Sequence, residues 1–338
     1  MCNRSNGIDW RKKMADVSIT QKKSFFKTGA AQKLLALGAL LLLVLFFTLA
    51  SPVFMTSSNL ISILLATAVN GVLAVGVTFV IITGGIDLSI GTGMTFASVM
   101  TGVAVTFLGL PIFIGVIVGI LTGALIGFIN GFNVAKLKIP AFIATLGMMM
   151  VTKGLSLVIS GAKPIYFIDT PQFANISKAT FLGIPSGVII FFLAAILAHI
   201  ILKKTIVGRF NFAIGSNLQA TRLSGINTER WLIIIHSLTG AFIGLAGVLM
   251  AARLNSAQPA LGQGYELDAI AAVVIGGTSL NGGKGTISGT VIGAFIMSVL
   301  LNGLRIMSVP QEWQTVLTGV IVIVAVFVDI YRRNKQSA

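Results

Sequence analysis

Charge is scarce in this chain of 338 residues: aspartate and glutamate together number 9, lysine and arginine 24, and charged residues make up 10% of the total. A soluble domain carries about 25%, so the deficit excludes a water-soluble globule. Cysteine is scarcer still. Cys2 alone leaves no disulfide framework and no thiolate metal site. The two histidines, His199 and His236, stand singly in apolar segments and read as packed or interfacial side chains rather than ligands. The formal charge of +15 would suggest nucleic acid in a soluble protein. Here the basic residues sit in loops and at the ends, so no nucleic-acid partner is expected.

What the chain does have is apolar sequence, 55% of its residues. Runs long enough to cross a bilayer, about 20 residues each, recur from residue 34 to residue 331. The fold class expected is an all-α polytopic integral membrane protein with about ten transmembrane helices, some of them short or broken. The segments fall near 34–53, 60–83, 88–108, 112–135, 140–160, 183–202, 231–252, 267–280, 285–304 and 312–331. The segment 267–280 is short and ends in glycine, which also suits a re-entrant piece.

Basic residues orient this arrangement. Residues 1–33 form a basic leader, with Arg4, Arg11, Lys12, Lys13, Lys22, Lys23, Lys27 and Lys33. The apolar run behind it exceeds the 7–15 residues or so of a cleavable signal's core and reads as a retained first span. Met14, followed by Ala-Asp-Val-Ser, is a plausible alternative start. With the leader inside, an even number of crossings also leaves Lys136, Lys138, the loop 203–230, Lys284 and the tail 332–338 inside, as the positive-inside rule requires. The expected location is a bacterial inner membrane with both termini cytoplasmic, and 34–331 forms one transmembrane domain.

Within this frame the run Thr83-Gly84-Gly85-Ile86-Asp87-Leu88-Ser89-Ile90-Gly91 stands out. An ionisable group at a helix centre costs roughly 2.5–3.5 kcal/mol on insertion scales. Irregular backbone at that depth survives only when packed in protein or lining a wet cavity. Asp87 therefore reads as the N-terminal cap of the next helix, as a gating or pathway residue, or as both. Gly84, Gly85, Ser89, Gly276 and Gly277 join it as gate or pathway candidates, with 276–285 a tight cytoplasmic turn. A different pattern, Gly115, Gly119, Gly123, Gly127 and Gly131, places glycine along one stripe of the fourth span, where it allows close backbone approach. The outer loop 161–182, with Pro164, Asp169 and Pro171, is long enough to lie on the membrane surface and to meet an external partner.

The longest polar stretch between spans is 203–230. Asn217 suits the cap of a short helix from Leu218 to Ser224, Gly215 suits a positive-φ turn that enters it, and Gly225 suits the residue that ends it. So short a helix needs a partner, which is either another protein or the bilayer surface. Three blocks resemble the permeases of ribose-type ABC sugar importers. They are the run at 83–91, the pattern Gly208-Arg209 through Ala213, Gly215, Asn217, Ala220, Arg222 and Ser224-Gly225-Ile226, and the stretch from Ala252-Arg253-Leu254 through Gly264-Tyr265-Glu266-Leu267-Asp268 to Gly289-Thr290.

The resemblance implies a homodimeric pathway, a cytoplasmic ATP-binding subunit docked on Gly208, Arg209, Gly215, Asn217, Arg222 and Gly225, and a periplasmic sugar-binding protein. It implies no cofactor on this chain, with ATP and Mg used by the partner. In agreement, Gly283-Lys284 is followed by Gly285 rather than the Ser or Thr of a phosphate loop. Arg253, Gln258, Glu266 and Asp268 are expected on the binding-protein side, with Glu266 and Asp268 capping the eighth span at its external start. Tryptophan and tyrosine number 3 each, so aromatic sugar platforms are few and specificity is expected in the binding protein. An ion-coupled transporter using Asp87, Glu266 or Asp268 and a passive channel remain open on the residues alone.

Overall fold

The computed structural model describes residues 29–337, which are predominantly helical; Cys2 and the leader up to residue 28 lie outside the described residues. In chain order the first helices are α1 (Gly29–Ala50), α2 (Ser57–Ile82), α3 (Ile90–Gly102, prolonged by a π-helical turn over Val103–Phe107), α4 (Ile112–Ala135) and α5 (Ala141–Ser160). The short α6 (Asn175–Lys178) and α7 (Ser186–Lys204) follow, then α8 (Ile206–Ser216), α9 (Leu218–Leu223) and α10 (Thr228–Leu254). The chain closes with α11 (Tyr265–Ile275), α12 (Ile287–Ile306) and α13 (Gln311–Ser337). Nine helices among the described residues are long and apolar enough to cross a membrane: α1 to α5, α7, α10, α12 and α13.

The remaining traverse is made by the loop 258–264 together with α11, whose 11 residues span only about 16 Å. One end of the bundle carries Lys136, Lys138, the 203–230 segment and Lys284; we call it the basic end. Lys33 near the start of α1 and Asp329 near the end of α13 line the same cleft as Gly282 and Lys284. The first and last helices thus share that end, as an even number of traverses demands. The opposite end is closed by two small antiparallel pairings, β1 (Ile165–Tyr166) with β4 (Ser256–Ala257) and β2 (Thr180–Phe181) with β3 (Ile184–Pro185).

α2 is the centre of the molecule, with every residue from Thr67 to Ile82 buried. A helix apolar on all sides belongs inside a bundle. Where lipid is as apolar as leucine, close packing and interhelical hydrogen bonds hold helices together. The glycine stripe of α4 shows this directly. A Cβ at Gly123 would run into the carbonyl of Gly240, and one at Gly127 into the carbonyl of His236, so α4 and α10 meet backbone to backbone. Hydroxyl pairs add to the packing: Thr78 with Thr290 at 2.9 Å, Thr92 with Thr152 at 2.8 Å, and Thr239 donating to the carbonyl of Gly76 at 2.9 Å. At the basic end Glu229 accepts from Lys136 at 2.8 Å and from Lys138 at 2.6 Å, pinning the α4–α5 turn to the start of α10. The outer loop is more than a surface connector. Its Phe167 and Phe173 stack with centroids 4.0 Å apart and are fully buried beside Val248 and Ala252 of α10.

Candidate functional site

Two breaks in the helical bundle define the site. The first follows α2. Gly84 turns the chain with φ of +82°, and 83–89 runs without regular structure into α3. Asp87, fully buried, accepts at Oδ1 from the amide of Ser89 (2.8 Å) and from its hydroxyl (2.6 Å). Ser89 in turn accepts from Nδ2 of Asn130 at 2.9 Å, and Thr145 donates to the carbonyl of Ile86 at 3.1 Å. The expected helix cap is not formed. Asp87 bonds the amide of Ser89, the residue that precedes the first turn, rather than an amide inside that turn. Its Oδ2, Nε2 of His236 and Oδ1 of Asn130 are buried without a hydrogen bond among the described residues. Asn130 and His236 lie about 8 and 12 Å along α4 and α10 from their basic ends, so this polar cluster occupies the third of the bundle nearest the basic end.

The second break precedes α11. Glu266 accepts with both carboxylate oxygens from the amide of Gly264 at 3.1 Å, and so holds the turn that starts the helix. Its depth differs from the expectation. Gly102 of α3 sits against Ile165 and Ala257 of the β1–β4 pair, whereas Gly91 sits against Gly262 and Glu266. Between them α3 descends about 16 Å. A second ruler agrees: α11 and α12 run antiparallel with Gly276 against Gly289 and Ala272 against Gly293. That register sets Glu266 and Asp268 level with Val299 and Met297, about 15–18 Å from the basic end of α12. Both acids lie near mid-depth and not at an external start. The seven or so residues of the preceding loop reach up to about 23 Å when extended, enough to carry the chain through the outer half without a helix. Arg253 ends α10 near the hairpins, where Gln258 donates to Ser256 at 2.9 Å.

The N-termini of α3 and α11 thus abut through Gly91 and Gly262, each with a carboxylate at its positive end. From that contact α3 runs outward and α11 runs toward the basic end. Half-helices meeting inside a membrane protein are a recurrent way of building a solute site.

At the basic end the first break meets the turn that follows α11. The turn after α11 bends at Gly277, Gly282 and Gly283, all with positive φ, and the amide of Gly283 donates to the carbonyl of Ile82 at 2.9 Å. A Cβ on Gly282 would come within 2.9 Å of Gly84, Ile82 and Gly215. Gly215 was expected in a turn with positive φ. It lies instead within α8, and its Cβ would collide with the carbonyl of Ile82. Gly208 is likewise helical and packs against the carbonyl of Leu202. These glycines serve close approach rather than turning. The short helix matches its expectation closely. Asn217 Oδ1 accepts from the amide of Ala220 at 2.9 Å, α9 follows, and Gly225 ends it at φ +82°. Arg209, Arg222 and Leu223 point outward, Leu223 being 89% exposed. Beside the junction a cleft of about 1060 Å³ opens between α1, α11 and α13, where Ser279 donates to Asp329 at 3.1 Å. Sequence reasoning missed Asp329, which is hidden inside an apolar span, and all of α8.

The arrangement offers two helix breaks that meet at Gly91 and Gly262, the first of them tied to an exposed helical loop, with no group of three or more metal-ligating side chains among the described residues. The family described as branched-chain amino acid transport system, permease component, matches residues 59–326. The chain is 43% identical to the ribose import permease protein of Bacillus subtilis (strain 168) over 321 residues, 94% of this chain and 98% of that one. It is 41% identical to the ribose import permease protein of Escherichia coli (strain K12) over 330 residues, 96% of this chain and the whole of that one. It is 39% identical to the L-arabinose transport system permease protein of the same strain over 285 residues, 84% and 86% of the two chains. No solved structure matches. Broken helices, glycine-packed spans and near full-length identity agree: the chain belongs to the ribose-type permeases of ABC importers, a transport component and not an enzyme.

Proposed function

We propose that this chain is the membrane-spanning subunit of an importer for ribose or a closely related monosaccharide. Two copies form the pathway. A cytoplasmic ATP-binding subunit docks on α8 and α9, and a periplasmic sugar-binding protein delivers solute at the hairpin end, near Arg253 and Gln258. The basic end is cytoplasmic, consistent with its lysines and arginines, and the membrane is the bacterial inner membrane. The chain binds no cofactor of its own, and ATP and Mg belong to the partner.

The observation that carries this reading is the junction at Gly215. At Gly215 α8 meets both the end of α2 and the turn after α11 backbone to backbone. A push on α9 therefore reaches the first break directly and the second through α11. Packed cores switch between discrete arrangements rather than deforming smoothly. Rocking of α8 would then swing the α3 and α11 starts between outward and inward access. Asp87 holds the break that moves, and Gly84, Gly85, Ser89, Gly276 and Gly277 shape it.

The test is reconstitution of the chain with its ATP-binding subunit in vesicles, with sugar-binding protein and ribose outside and all ion gradients collapsed. ATP-dependent uptake is expected. Uptake that follows a proton or sodium gradient and ignores ATP would overturn the reading in favour of an ion-coupled carrier.

A further inference from the structure

Lys153 carries its ammonium group near mid-height of the bundle. On α5 it stands about 18 Å from the basic end and about 10 Å from the hairpin end. It is only half-buried. A lysine near a helix end can send its charge to the interface. This one turns sideways, and its Nζ donates to Oε1 of Gln263 at 2.9 Å. Gln263 is exposed and belongs to the loop that descends to the start of α11. Next to the pair a small cleft is closed by Thr92, Thr95, Pro259 and Gly262. Thr92 is bonded to Thr152, the neighbour of Lys153. The level is therefore that of the α3 and α11 starts.

An accessible charge at that depth marks a wet path rather than a lipid face. After their mutual bond, the ammonium retains two N–H donors, while the amide retains two donors and part of its acceptor capacity. Adjacent hydroxyls of a sugar, each donor and acceptor, match that set. An apolar solute does not.

We propose that Lys153 and Gln263 form a hydroxyl-binding step for the sugar in the translocation path, at the level where the two half-helices meet. The inference rests on the importer reading above and adds the residues that touch the solute.

Because Cys2 is the only cysteine, the test uses Lys153→Cys in a Cys2→Ser background, reconstituted with the ATP-binding subunit and binding protein. The background protein alone must show ATP-dependent uptake; its failure would fell the importer reading and not this one. Lys153→Cys is expected to lose uptake about tenfold, the effect of one charge-assisted hydrogen bond, with unchanged amounts in the membrane. A water-soluble aminoethyl methanethiosulfonate, which restores an ammonium on an arm one atom longer than that of lysine, is expected to label it and restore uptake. The uncharged methyl reagent is not, and millimolar ribose is expected to slow the labelling. Restoration by both reagents, or labelling indifferent to ribose, would mean that Lys153 only pins the loop. Failure of the aqueous reagent to label would place the side chain against lipid. Either result overturns the proposal, as does wild-type uptake in Lys153→Met.

Discussion

Asp87 shows how much depends on one side chain when a helix starts inside a membrane protein. The break after Ile82 leaves amides that water would satisfy elsewhere, and here one carboxylate oxygen takes the amide and hydroxyl of Ser89. Asparagine retains an acceptor at that position, whereas alanine strands both donors at a cost of about 1–3 kcal/mol each. We therefore expect Asp87→Ala to lower the thermal unfolding temperature in detergent and to abolish uptake, with Asp87→Asn retaining most of both. Equal losses in the two variants would show that the charge itself is needed, with His236 across the cluster as its candidate counterpart. A changed sugar preference at normal rate would instead remove Asp87 from the gate.

Among the elements, α4 and α10 are the pair whose packing tolerates least. Gly127→Ala should destabilise the protein by about 1–3 kcal/mol, the range for overpacking a filled interior, because the new methyl meets the backbone of His236. Gly147 of α5 has nothing within 4 Å of an added Cβ. Gly147→Ala should be neutral or stabilising, by up to about 1 kcal/mol of helix propensity. Thermal melts of the two proteins side by side decide the matter, and similar melts would mean that the stripe does not set the packing. That stripe and the long spans were legible in the sequence because each is a one-dimensional signal, an apolar run or a four-residue repeat. α8 was not, since its 11 residues are too few and too mixed to read as a span. Gly215 was misread because a glycine at a helix contact and a glycine in a turn both simply lack Cβ. The depth of Glu266 was hidden for a different reason. The polar, glycine-rich loop before it reads as surface, yet irregular backbone is stable at depth once protein surrounds it.

At the scale of the whole molecule, function depends on whether the basic end is a handle or merely a surface. α9 is a six-residue helix, too short to persist in water without support, and it exposes Leu218, Arg222 and Leu223. Asn217 and Gly225 fix its ends, while Gly215 seats α8 on the junction between the end of α2 and the turn after α11. A partner gripping α9 would gain a buried leucine, worth about 1.5–3 kcal/mol, and a charge-assisted contact to Arg222 of about 1.5–3 kcal/mol if desolvated. Leu223→Asp and Arg222→Ala should therefore reach the membrane in normal amounts and melt like the wild type, because neither side chain is packed in the chain itself. Both should fail to bind the ATP-binding subunit and to stimulate its hydrolysis. Gly215→Val should behave differently, since a side chain there forces α8 off Ile82. It should still bind the partner through α9 but transmit nothing, giving hydrolysis without uptake. Pull-down, ATPase and uptake assays on the same preparations separate the two classes. If Leu223→Asp keeps coupled hydrolysis and uptake, α9 rests on lipid, and the handle must be sought elsewhere on the basic end.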